Sequence, residues 1–142
     1  MEARTGNNAV CFALQSEMRG YVCGTVNSRM QQQCYIEVKR GDGTQVTAAT
    51  MEGEGNREML RNVMNDNTNW SFGPFPFPAT ICVTMRHKRD RVWTESKVVG
   101  PLSNIKYPEP DYPMTFRSQQ VVSEDLDNYA HDDCCITVLE YK

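Results

Sequence analysis

The densest chemistry in the chain lies near its end. In Glu124-Asp125-Leu126-Asp127-Asn128-Tyr129-Ala130-His131-Asp132-Asp133, five of the 18 carboxylates fall within ten residues. Like charges this close repel unless water or a cation separates them, so the segment is either a solvated loop or a metal site. As a metal site it suits Ca²⁺, a hard cation that takes six to eight oxygens at about 2.3–2.6 Å and tolerates irregular geometry. Mg²⁺ demands a stricter octahedron and usually arrives with phosphates. An EF-hand is excluded by spacing, because Tyr129 stands where a further acid or amide is needed and no glycine follows Gly100. Zinc held by His131, Cys134 and Cys135 is also a poor match, since neighbours in a strand point to opposite faces. Burial of one of those thiols in the core is the simpler expectation.

Such a loop needs a scaffold, and the rest of the chain reads as short strands. Cys34 to Lys39 alternates, with Cys34, Ile36 and Val38 on one face and Tyr35, Glu37 and Lys39 on the other, which predicts a half-buried strand. Gly41-Asp42-Gly43 predicts a hairpin into Thr44 to Thr50. A second hairpin is predicted from Thr80–Met85 into Arg91–Val99, turning through the basic run Arg86 to Arg91. Val10–Leu14, Tyr21–Val26, Met114–Ser118 and Cys135–Tyr141 bring the count to about eight or nine strands. Only Arg57 to Met64 has any helical character, and its Asn-rich flanks work against it. The seven prolines are expected between strands, where a missing N–H costs no ladder bond. The fold class expected is all-β, an antiparallel, jelly-roll or Greek-key-like sandwich, as a single domain spanning 1–142.

Composition narrows the partners. Net charge −3 and a pI near 5.4 give no general attraction to nucleic acid or anionic lipid. No segment is apolar for long enough to span a bilayer as a helix. The apolar run Ala9 to Leu14 is too short for a signal-peptide core, and six cysteines without an export signal suggest reduced thiols. The expected location is therefore cytoplasmic, or outside the cell by a route without a signal peptide. The aromatic run Trp70, Phe72, Phe75 and Phe77 is expected to cap a core or line an interface rather than to stack on sugar.

The acidic segment, followed by an apolar strand, resembles the signature loop of the soluble calcium-dependent lectins of bacteria that bind fucose and mannose. In that family a Glu opens the loop and an Asp closes it nine residues later, a separation kept here by Glu124 and Asp133. The family takes a further ligand from an Asn-Ser pair in an N-terminal loop ahead of an alternating strand, matched here by Asn27-Ser28 before Cys34–Lys39. The likeness spans roughly residues 21–46 and 80–141 and leaves the stretch between unmatched.

The resemblance implies Ca²⁺ held by Asn27, Glu124, Asn128, Asp132 and Asp133, with Ser28, Asp125 and Asp127 toward the sugar. It also implies mannose- or fucose-type glycans as ligands. Family members lend a C-terminal carboxylate to a neighbouring subunit, so a homodimer or larger homo-oligomer is expected. Ala130 and Arg29 depart from the pattern: the first lacks a side-chain oxygen, and the second crowds and recharges the sugar pocket. The chain also ends at Lys142 instead of the family's small terminal glycine. The alternative is a non-catalytic assembly protein whose acidic loop holds calcium structurally or not at all. An enzyme is not expected, because His87 and His131 sit in no motif and crowded acids collect a cation more readily than they hold two separate pKa values.

Overall fold

The structure, a computed structural model, describes residues 9–106, 116–124 and 134–142, and within these no helix is long and apolar enough to cross a membrane. Among the described residues, ten antiparallel strands run β1 (Val10–Leu14), β2 (Arg19–Arg40), β3 (Gln45–Met59), β4 (Arg61–Asn62), β5 (Asn69–Phe72), β6 (Ala79–Arg89), β7 (Val92–Glu95), β8 (Lys97–Lys106), β9 (Phe116–Glu124) and β10 (Cys134–Tyr141). The hydrogen-bonded order is β1-β6-β2-β10-β9-β8, with β3 and β5 also on β2, β4 on β3 and β7 on β6. Placing β2 between β6 and β10, both remote in sequence, gives the crossed connectivity expected of a Greek-key-like sandwich.

β2 belongs to both layers. Its first part, Gly20 to Val26, pairs with β10 and β5, and its last part, Gln32 to Arg40, pairs with β6 and β3. The two expected strands Tyr21–Val26 and Cys34–Lys39 are thus one strand, bent between them. Inward side chains alternate along it, and Val22, Val26, Ile36 and Val38 join Ile81, Val83, Val121, Ile136 and Val138 in one apolar core. Gly24 is also inward. A β-carbon there would lie 2.7 Å from Leu60 and Ile136 and 2.9 Å from the Cys135 carbonyl, so only glycine allows β10 this close.

Both predicted hairpins form, but the second turns later than expected: Arg86 to Arg89 continue β6 with His87 buried, and Arg91–Val99 divides between β7 and β8. Gly43 N–H donates to the Arg40 carbonyl at 2.9 Å, and the Asp42 carboxylate accepts the Thr44 N–H at 2.9 Å, which holds that carboxyl below its usual pKa. Arg89 pairs with Val92 across Asp90 and Arg91, both at positive φ (52° and 67°), the geometry of a two-residue hairpin turn. The aromatic run behaves as expected too: Phe72 is buried, and Trp70, Phe75 and Phe77 pack against the core.

Other expectations are corrected. Arg57–Met64 is not helical. Asn62 and Asn65 turn their side chains onto the Met64 and Asn67 N–H groups at 3.0 Å, local bonds that compete with a helix, and the segment divides between β3, β4 and a turn. Tyr35 and Glu37 are only 1% exposed rather than solvent-facing, because β2 is flanked on both sides: the Tyr35 hydroxyl donates to Gln45, and Glu37 pairs with Lys39 at 3.1 Å. Pro101 lies inside β8, where the ladder shifts register between Val99 and Leu102, so a bulge absorbs its missing donor. Not all thiols are reduced. Cys11 stands opposite Cys82 in the β1–β6 ladder, and the two form a disulfide, while Cys23, Cys34, Cys134 and Cys135 remain thiols. As expected, one of the adjacent pair, Cys134, is buried.

Candidate functional site

The bend in β2 builds the site. Between the pairs Val26–Glu58 and Ser28–Gly55 the register gains a residue on β3, and between Ser28–Gly55 and Gln32–Gly53 it gains residues on β2. These bulges break the strict alternation and turn successive side chains outward. Asn27 and Arg29 are exposed and Ser28 half-buried. Asn27-Ser28 therefore lies within a bulged strand and not in the loop that the resemblance suggests. The Ser28 hydroxyl accepts the Met30 N–H at 3.1 Å, and Gln32 donates to the Met30 carbonyl at 3.2 Å, which pins the bulge from both sides.

Across from it, Gly55 (φ 115°) and Arg57 (φ 57°) both adopt positive φ. A β-carbon on Gly55 would also come 2.9 Å from Glu58 Cγ, so glycine keeps the floor open. Asn27, Ser28, Arg29, Gly55 and Asn56 together line a hollow of about 310 Å³.

The acidic segment attaches beside this hollow. β9 ends at Glu124, β10 begins at Cys134, Cys134 pairs with Ser123 on one side, and it pairs with Val26, the residue before Asn27, on the other. Asp125, Asp127, Asn128, Asp132 and Asp133 lie outside the described residues, as does the side chain of Glu124. Among the described residues no group of three or more His, Cys, Asp or Glu is placed to hold a metal ion. Of the residues expected at the site, Asn27 and Ser28 are together at the hollow, and Glu124 marks the end of β9 from which the segment departs.

Two thiols lie close to each other on β2 and β10. Cys23 and Cys135 are half-buried, and Thr25, the partner of Cys135, lies two residues along β2 from Cys23. Burial raises both thiol pKa values, and for Cys135 the neighbouring Cys23 adds to the rise, so both are poor nucleophiles near neutral pH.

Sequence reasoning missed Gly55 and Asn56, because residues 47 to 79 carry no part of the resemblance and the register shift that brings them to Ser28 is non-local. The Gly-Asn dipeptide is the one local signal available there, a turn signature inside a strand-like run. It missed a second hollow as well, of about 350 Å³, next along the β2–β3 pair and lined by residues that include Gln31, Glu52, Glu54 and Arg61.

No protein-family model and no curated protein sequence matches the chain. Solved structures do. The chain superposes with a TM-score of 0.60 on the Chromobacterium violaceum lectin CV2L in complex with α-methyl-fucoside, at 17% identity, covering 91% of this chain and 93% of that one. The C-terminal domain of the BC2L-C lectin from Burkholderia cenocepacia matches with a TM-score of 0.60 at 13% identity over 91% and 92% of the two chains. A high-affinity mannose-binding lectin of Ralstonia solanacearum matches with a TM-score of 0.56 at 14% identity over 95% and 96%. These structural neighbours are thus bacterial lectins, one solved with α-methyl-fucoside and one named as mannose-binding, and at these identities the likeness is one of fold.

Proposed function

We propose that the chain is a carbohydrate-binding protein of the lectin kind, without catalytic activity, that holds vicinal sugar hydroxyls at the end of the sandwich where β2 bulges. The observation that carries this reading is the convergence of Asn27 and Ser28 with both attachment points of the acidic segment, Glu124 at the end of β9 and Cys134 at the start of β10. The sugar-binding names of its structural neighbours support it, and so does a hollow that gathers the polar residues Asn27, Ser28, Arg29 and Asn56.

Asn27 brings an amide oxygen, a hard donor, to the edge where the segment attaches, which fits calcium in kind. The rest of the donor set would be Glu124, Asn128, Asp132 and Asp133. Bound there, Ca²⁺ would supply a positive centre that two adjacent hydroxyls can approach with their oxygens. The protein's own groups do the rest. Carboxylates of the segment accept the hydroxyl protons as charge-assisted bonds, with Asp125 and Asp127 toward the sugar, and Ser28 is held at the wall by the Met30 N–H. Arg29 and Asn56 at the rim add donors, and Arg29 favours ligands bearing an acceptor or a negative group on that side. We propose mannose- or fucose-type glycans as the ligands.

Calorimetry tests this reading directly. Calcium titrated into EDTA-stripped protein is expected to bind, with the heat lost in Asn27→Ala, Glu124→Ala and Asp133→Ala, and the α-methyl glycosides of mannose or fucose are expected to bind only the calcium-loaded form. Absence of calcium heat at millimolar concentration would remove the metal from the proposal. Sugar binding that persists in all three variants would move the site elsewhere.

A further inference from the structure

The second hollow lies directly along the β2–β3 pair from the first. Gln31 follows Arg29 by two residues on β2, and Glu54 precedes Gly55 on β3, so the linings of the two hollows follow one another along both strands. Their volumes, about 350 and 310 Å³, each fall at the lower end of the roughly 300–1,000 Å³ typical of small-ligand pockets. Each suits one sugar ring and not a longer chain.

Its lining has the mixed character that a pyranose ring demands, with hydroxyls around the edge and C–H groups on the faces. Glu54 is an exposed acceptor, Gln31 offers an amide, and Arg61 is a planar donor with a half-exposed side chain. Arg61 is aimed by its neighbours: Nη1 donates to the Asp66 carbonyl at 3.0 Å and lies 3.7 Å from the Asp66 carboxylate. Glu52 is oriented by Gln33, whose amide donates to it at 3.0 Å. Val63, 51% exposed, supplies the apolar surface among these polar groups. The strand pair thus presents acceptors, donors and an apolar contact in one concavity, and the positioning of Arg61 and Glu52 is set before any ligand arrives.

We propose that this hollow is a second saccharide subsite, which takes the sugar linked to the one held at Asn27 and Ser28, so that the preferred ligand is an oligosaccharide. The proposal rests on the carbohydrate-binding reading of the first hollow. It assigns to Gln31, Glu54, Arg61 and Val63 a contact with the penultimate residue of a glycan.

The test compares ligands of different length on the calcium-loaded protein by calorimetry. The probes are α-methyl mannoside and α-methyl fucoside against mannotriose and a fucosylated trisaccharide. Two or three added hydrogen bonds are expected to make the better trisaccharide bind about tenfold more tightly than its monosaccharide. Arg61→Ala and, independently, Glu54→Gln should erase that advantage and leave monosaccharide affinity unchanged, a readout that general unfolding cannot imitate. Should the trisaccharides bind no better than the monosaccharides, or keep their advantage in both variants, the second subsite is overturned while the first stands. Should no saccharide bind at all, both readings fall together.

Discussion

At the scale of single residues, buried charge leaves the clearest measurable trace. Glu140 is fully buried between Arg117 and Gln119, with the Arg117 Nε donating to its carboxylate at 2.6 Å. Burial raises its pKa above the usual value near 4.5, and the Arg117 charge and the hydrogen bonds from Arg117 and Gln119 only partly oppose it. The sign follows from linkage: a carboxyl with a raised folded-state pKa is most favourable to the fold when protonated, and its contribution is lost as pH rises through that pKa. Glu140→Gln, which keeps the shape and removes the charge, should therefore gain melting temperature relative to wild type as pH climbs from about 4 toward 7. Paired thermal melts across that range check it, and a difference that stays flat or shrinks would show that Arg117 outweighs the burial cost.

At the scale of elements, the edge strand β1 is held at several points. It pairs with β6, it is joined to β6 by the Cys11–Cys82 disulfide across 71 residues of sequence, and its Ala13 carbonyl accepts a bond from Arg117 of β9 at 2.6 Å. An edge strand exposes unpaired backbone groups, and tethering it at both sides limits fraying and edge-to-edge association. Closing a loop of this length restricts the unfolded chain, so Cys11→Ser with Cys82→Ser is expected to cost about 2–4 kcal/mol in urea unfolding. Alkylation of unreduced, denatured protein should add four labels, one for each cysteine outside the bridge, Cys23, Cys34, Cys134 and Cys135. Six labels would show that the bridge does not form. The bulged centre of β2 plays the opposite part: it gives up ladder pairing between Ser28 and Gln32 and gains a concave, polar surface.

At the scale of the whole molecule, the proposed reading would have shallow hollows hold one or two sugar rings weakly, and lectin-like function would then depend on several sites acting together. We therefore expect a homodimer or larger homo-oligomer. The outer face of the β2–β10–β9–β8 layer sets Met59, Thr25, Cys135, Val122 and Val99 in one cross-strand row, with Met59 40% and Val99 37% exposed. Sedimentation equilibrium should give a mass at least twice the 16.2 kDa of the chain at micromolar concentration. A monomer at every concentration would confine the protein to single, weak contacts with its ligand.

What the sequence determined by itself is what depends on near neighbours. Period-two alternation, as in Ile81, Val83 and Met85, decides strand identity and inward face, while Gly41-Asp42-Gly43 decides a turn, because backbone geometry is set within a few residues. The charge density of the acidic segment poses the choice between a solvated loop and a metal site. What only the tertiary structure decided depends on register between strands remote in the chain. It merged two expected strands into β2, opposed Cys11 to Cys82, buried Tyr35 and Glu37 on a face that alternation leaves to solvent, and brought Gly55 and Asn56 to Ser28. A bulge of one or two residues leaves little mark in a sequence, yet it shifts every later pairing and so decides which side chains share a site.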